Sequence, residues 1–203
     1  MNRRKFCVSS AAAAISIAAA GPARLAAGRA PPIRPGPSTL SVQLYKFIYD
    51  DRYPAARAFG AASEHAYSTA GTAAIRGDVT ALWARDLRCQ WLAGGGAIAG
   101  MTTARALFCL EQVAKDHWMR VLIRAEHAIS EGHEIAHRLT APEAMITPTR
   151  SALAAADWPA QMPAALAACR GWDGAPRVTT VLASAGRRRW ALTDPMLVSF
   201  VIA

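Results

Sequence analysis

A chain of 203 residues with 53% hydrophobic side chains and 18% charged ones holds enough apolar material for one domain-sized core, and too much for a disordered tail. Its formal net charge of +9 is unevenly spread: Arg3, Arg4, Lys5 and Arg24 fall in the first 27 residues, which contain no acid, so residues 28–203 carry +5. That modest surplus, without a long Lys/Arg tract, argues against a dedicated nucleic-acid binder. No apolar run has the length of a stable transmembrane anchor.

The chain opens with Arg3-Arg4 and Phe6 ahead of a short, alanine-rich apolar stretch over residues 11–20. The first 27 residues resemble a twin-arginine export signal. Asn2 stands where Ser or Thr is usual, and Cys7 where Leu is usual. The resemblance implies a partner, the twin-arginine (Tat) translocase, which reads Arg3 and Arg4. It also implies that the chain folds before it crosses the membrane, that it reaches the periplasm, and that it is cut at a small-residue site after Ala20, Ala23 or Ala27. Residues 28–39 hold four prolines and two glycines and form a tether. A single domain follows over residues 40–203.

Within it, residues 42–49 are aromatic and β-branched and predict a first strand. Asp50-Asp51-Arg52-Tyr53 ends that strand, and Pro54 starts a helix reaching about His65. Residues 72–75 predict a second strand. Gly77 turns the chain and Asp78 caps the next helix, on which Val79, Leu82, Trp83, Leu87 and Trp91 share one face. Gly94-Gly95-Gly96 ends it. Residues 97–99 predict a third strand closed by Gly100, and Thr102 or Thr103 caps a helix whose apolar stripe runs from Ala106 to Trp118. A fourth strand begins at Val121. Beyond Pro142, residues 149–168 read as helix interrupted by Pro159 and Pro163. Residues 177–183, 189–192 and 196–202 read as strands, the first two joined as a hairpin through Ser184-Ala185-Gly186. The alternation predicts an α/β fold: a three-layer, mostly parallel open sheet with flanking helices and an antiparallel C-terminal hairpin or strand.

Two groups of residues carry chemistry. In an open α/β sheet, ligands bind outside the carboxyl ends of the strands. There the sequence places Asp50, Asp51, Arg52, Arg76, Asp78, Thr102, Thr103 and His127, a grouping suited to a small acidic ligand. The competing reading is that Asp78 and a threonine only cap helices. The second group is His133-Glu134-Ile135-Ala136-His137, an H-E-x-x-H match. On a helix, His133 and His137 would hold zinc while Glu134 acts as general base, as the zinc metalloprotease signature implies. The local pattern fits a hairpin better, with strands at 122–129 and 134–139 about a turn at 130–132. In a strand the two histidines lie about 13 Å apart, too far for one metal.

Cys89, Cys109 and Cys169 permit one disulfide in an oxidising compartment, and their pairing is open. Cys89 and Cys109 read as small buried side chains on helices. Trp158 and Trp172 read as exposed aromatics. The sequence therefore leads to two expectations. One is a non-enzymatic periplasmic binding or accessory protein of an exported redox system, with no cofactor motif of its own. The other is a zinc-dependent hydrolase built on His133, Glu134 and His137.

Overall fold

A computed structural model describes residues 42–129, 135–171, 174, 176–183 and 196–203. The leader, the tether, the turn at 130–132, His133, Glu134, Trp172, the turn at 184–186 and the strand expected at 189–192 lie outside the described residues.

The chain runs β1 (Leu44–Asp50), α1 (Pro54–Ala66), β2 (Gly71–Ile75), α2 (Thr80–Leu82), a π-helical turn (Trp83–Leu87) continuing into α3 (Arg88–Leu92), and β3 (Ala97–Thr103). It continues with α4 (Ala104–Lys115), β4 (Val121–Ile129), β5 (Ile135–Pro142), α5 (Glu143–Ala154), α6 (Trp158–Ala167), β6 (Arg177–Ala183) and β7 (Leu197–Ile202). The seven strands form one mixed sheet in the order β2-β1-β3-β7-β4-β5-β6. β1 pairs in parallel with β2 and with β3, while β7 runs antiparallel between β3 and β4. β4, β5 and β6 pair antiparallel in turn. The fold is α/β, with a parallel core extended by antiparallel C-terminal strands.

Alternation along the strands divides the core in two. Phe47, Met101, Ile123, Leu139 and Val201 face α1, α5 and α6, where they meet Phe59, Met145, Trp158 and Leu166. Ile48, Ile98, Val198 and Phe200 face the opposite way, against Leu87 and Trp91 and against Leu107 and Leu110 of α4. Each fully buried Leu, Ile or Phe contributes about 1.5–3 kcal/mol relative to an exposed one, so the two faces together hold the sheet between helices. Pro54 starts α1, and its buried residues, Ala55, Ala56, Phe59, Gly60 and Ser63, recur at helical spacing.

Four expectations are corrected. β3 does not stop at Gly100 but runs to Thr103, because the missing side chain lets neighbours close in: a Cβ at Gly100 would lie 2.6 Å from the Ile48 carbonyl and from the Phe200 ring. The helix expected from residue 149 begins at Glu143, directly after Pro142, and breaks at residues 155–157 before Trp158 and Pro159 start α6. Cys89 and Cys109 lie on helices but are exposed, since the inward positions are taken by Trp91, Leu107 and Leu110; Cys169 is buried, and all three thiols are free. Trp158 is wholly buried rather than exposed.

Candidate functional site at the carboxyl edge of the sheet

The connection β1–α1–β2 leads to one side of β1, and the connection from β2 to β3 leads back across to the other. This reversal makes the carboxyl ends of β1 and β3 a topological switch point, where the two crossovers part and leave a crevice. The residues at this edge are Asp50 to Arg52 from β1, Arg76 to Asp78 after β2, and Thr102 and Thr103 from β3.

Asp50 is the buried centre. It is fully buried, and its carboxylate accepts from Arg52 Nε at 2.8 Å, from Arg52 Nη2 at 2.7 Å and from the Arg52 backbone N–H at 3.3 Å. A carboxylate taken out of water needs such pairing, and the bidentate fork supplies both charge and geometry. The hydrogen bond to Asp50 raises the Arg52 guanidinium above its already high pKa. Side-on pairing through Nε and Nη2 turns Nη1 away from Asp50, and the Arg52 side chain stays 40% exposed. Gly77 adopts φ +83°, and a Cβ there would lie 2.3 Å from Arg52 Nη2, so only glycine lets the β2–α2 turn close on the guanidinium.

Asp51 and Arg76 approach to 3.3 Å at the same edge, and Arg57 Nη1 donates to the Asp51 carbonyl at 2.7 Å. Tyr49 pairs with Met101, which carries Asp50 alongside Thr102. Thr102 and Thr103 are both buried. Thr102 donates to the Thr103 carbonyl at 3.3 Å, and the Thr103 hydroxyl accepts from the Ala106 N–H, capping α4. Asp78 accepts from the Thr80 N–H at 2.8 Å; its hydrogen bonds with Thr80 hold its carboxyl below the usual range. The structure thus gathers Asp50, Asp51, Arg52 and Arg76 with Thr102 beside them, while Thr103 caps α4 and Asp78, one residue before the N-cap Val79, accepts from the first N–H of α2.

His127 does not join this group. Asp50 shares the face of Ile48, toward α3 and α4, whereas His127 follows Ala125 on the opposite face, beneath α6. There it is fully buried and cross-strand from His137 on β5, with 2.8 Å between the two Nδ1 atoms. His127 Nε2 lies 2.8 Å from Ser199 Oγ on β7. The Trp158 indole covers both rings, with centroids 4.3 Å from His127 and 4.9 Å from His137. His137 therefore lies on a strand, not on the helix that an H-E-x-x-H zinc site requires, and its inward nitrogen is taken by His127.

The contact between two Nδ1 atoms limits the proton arrangement to two. One nitrogen carries hydrogen and the other does not, and the choice at His127 dictates whether Ser199 donates to Nε2 or accepts from it. Burial lowers the pKa of both histidines: His127 falls well below the ordinary value, helped by the adjacent His137, and His137 falls to about 4. Among the described residues, Asp51 Oδ1, His137 Nε2, Thr149 Oγ1 and Trp158 Nε1 are buried without a hydrogen-bond partner. Sequence reading missed Ser199 and Trp158 as members of this cluster, and missed His137 as the partner of His127. The alternation Ala125-His127 against Leu139-His137 was the available signal.

No protein family, curated protein or solved structure with which the chain was compared matches it.

Proposed function

We propose that this chain is exported through the twin-arginine route and works in the periplasm as a non-enzymatic binding protein, accessory to an exported redox system. It takes a small acidic ligand at the carboxyl edge between β1 and β3. The observation that carries the reading is the buried Asp50 that fixes a half-exposed Arg52. Sequestering a carboxylate to orient one surface guanidinium is the arrangement expected of a preset anion contact, and capping does not account for it. Arg76 places a second, largely exposed guanidinium at the same edge, paired with Asp51 at 3.3 Å. The leader, with Arg3, Arg4 and Phe6 before the apolar run, supports the compartment.

Calorimetric titration of the purified domain with succinate, citrate and inorganic phosphate tests the site. At least one is expected to bind saturably at one site. Arg52→Gln is expected to weaken that binding tenfold or more, equivalent to about 1.4 kcal/mol, and Gly77→Ala to weaken it by displacing the guanidinium. Absence of binding by all three anions, or affinity unchanged in Arg52→Gln, overturns the ligand assignment.

Export has its own test. Fractionation of cells producing the full chain is expected to find the shortened protein in the periplasm. Replacing Arg3 and Arg4 together with lysine is expected to leave the uncut chain in the cytoplasm. Periplasmic delivery that ignores the double replacement removes the twin-arginine reading.

A further inference from the structure

At the opposite, amino-terminal edge of β1, β2 and β3 lies a cavity of about 890 Å³, within the range that holds small organic ligands. Its walls include Tyr45, Lys46, Gly71, Gln90, Trp91 and His117. It shares none of these residues with the Asp50–Arg52 crevice.

The walls are built rather than left over. The π-helical turn Trp83–Leu87 delivers Asp86 to β1, where it accepts from Tyr45 Oη at 2.5 Å and pairs with Lys46 Nζ at 2.6 Å. Such turns inside helices are frequent at functional sites. The bond to Asp86 pushes the Tyr45 phenol up to about 12; burial works to raise the Asp86 carboxyl, but hydrogen bonds from Lys46 and Tyr45 hold it below its usual range. Trp83, Trp91 and His117 meet edge to face, with centroids 5.6–5.8 Å apart. Gln90 Nε2 donates to the Gly95 carbonyl and Trp91 Nε1 to the Gly96 carbonyl, which fixes the glycine loop that closes one side.

Beside this cavity sits a residue that folding alone disfavours. Trp118 follows the end of α4 between His117 and Met119, both of which line the cavity. The Met119 N–H bonds the Ala114 carbonyl and the Trp118 N–H bonds the Lys115 carbonyl, the pattern of a helix end that calls for a left-handed residue, usually glycine. Trp118 takes φ +61° there, the only non-glycine positive φ among the described residues, and its side chain is 92% exposed. A left-handed backbone held at a bulky residue is an outlier of the kind that accompanies functional sites.

Lys46 is the one formally charged side chain among the described lining residues, and Asp86 neutralises it. Its remaining ammonium hydrogens offer donors beside aromatic walls. We infer that this cavity binds an uncharged, planar aromatic molecule carrying a carbonyl-type acceptor, its ring against Tyr45, Trp91 and His117, its acceptor toward Lys46, and Trp118 closing the rim.

Coumarin is a suitable probe: neutral, planar and bearing a ring carbonyl. Titration of the purified domain, followed by tryptophan emission and calorimetry, is expected to give saturable binding at one site, with none for δ-valerolactone, which has the carbonyl but no aromatic ring. Gly71→Phe fills the cavity from a strand position whose Cβ meets nothing nearer than Lys46 Nζ at 3.5 Å, and is expected to weaken coumarin at least tenfold. Trp118→Gly is expected to raise Tm, by relieving the left-handed backbone, while weakening coumarin. Arg52→Gln is expected to leave coumarin binding unchanged, which separates this site from the anion crevice. Lack of saturable binding, or native affinity in either Gly71→Phe or Trp118→Gly, overturns the inference.

Discussion

Unfolding free energy is expected to fall steeply as pH drops from about 6.5 toward 4, with His127 and His137 as the cause. Both are fully buried, with their Nδ1 atoms 2.8 Å apart, and both pKa values lie below the ordinary 6.5, His137 at about 4. Between those values the unfolded chain binds protons that the folded chain refuses, so stability rises with pH through this window and is fully present above it. Each withheld proton contributes about 1.4 kcal/mol per pH unit. His137 alone is therefore expected to remove on the order of 3 kcal/mol by pH 4, a large part of a typical domain's 5–15 kcal/mol. Nothing nearby softens the loss. The only buried carboxylate among the described residues is Asp50, on the other face of the sheet and already paired with Arg52. Urea unfolding at pH 7.5, 6.5, 5.5 and 4.5 measures the slope. His137→Gln, neutral throughout, is expected to flatten the curve between pH 6.5 and 5. A native curve that is already flat there would mean that the pair shares a charge in the folded state, and the neutral arrangement would be wrong.

The parallel half of the fold was legible because its determinants are local. Pro54 and Asp78 mark helix starts within one turn of where they occur, and the aromatic, β-branched run into Asp50 could be little other than a strand. The β4–β5 hairpin was legible for the same reason, since alternation over a few residues decides it. The candidate crevice followed from the same alternation: once β1, β2 and β3 were read as parallel, their carboxyl ends had to hold Asp50, Arg52 and Thr102, though the central place of β1 came only with the structure. Gly100 misled because a glycine inside a strand looks like a stop until Phe200, a hundred residues later, is seen resting on it. The His–His–Ser cluster was illegible for a related reason. His127 and His137 are 10 residues apart, but Ser199 is 72 residues from His127 and reaches it only through the insertion of β7 between β3 and β4. Register set by non-local pairing leaves no mark on the neighbouring sequence. Trp158 failed similarly: between Asp157 and Pro159, at an interruption of the expected helix, it reads as exposed, and only the docking of α6 buries it.

Replacing Trp158 with alanine is expected to destabilise the domain by about 3–5 kcal/mol, the range for removing a wholly buried large aromatic. The indole is the first residue of α6 and the ceiling over both imidazoles, at 4.3 and 4.9 Å. The void left behind is not a plain apolar cavity. It opens onto two histidines and Ser199, polar groups able to hold water, so part of the lost packing is offset by hydration. Hydration in turn weakens the desolvation that lowers the histidine pKa values. The packing loss and the histidine titration are therefore coupled: Trp158→Ala should lose stability at pH 7.5 and also show a shallower pH dependence than the native protein. A double-mutant cycle with His137→Gln, run by urea unfolding at pH 7.5 and pH 5, reads that coupling directly. The expected interaction energy grows as pH falls, because only the native ceiling keeps His137 from accepting a proton. A Trp158→Ala loss below about 1 kcal/mol, the size of an ordinary surface substitution, would show that α6 does not seal the cluster, and additive effects at both pH values would show that the indole does not control its titration.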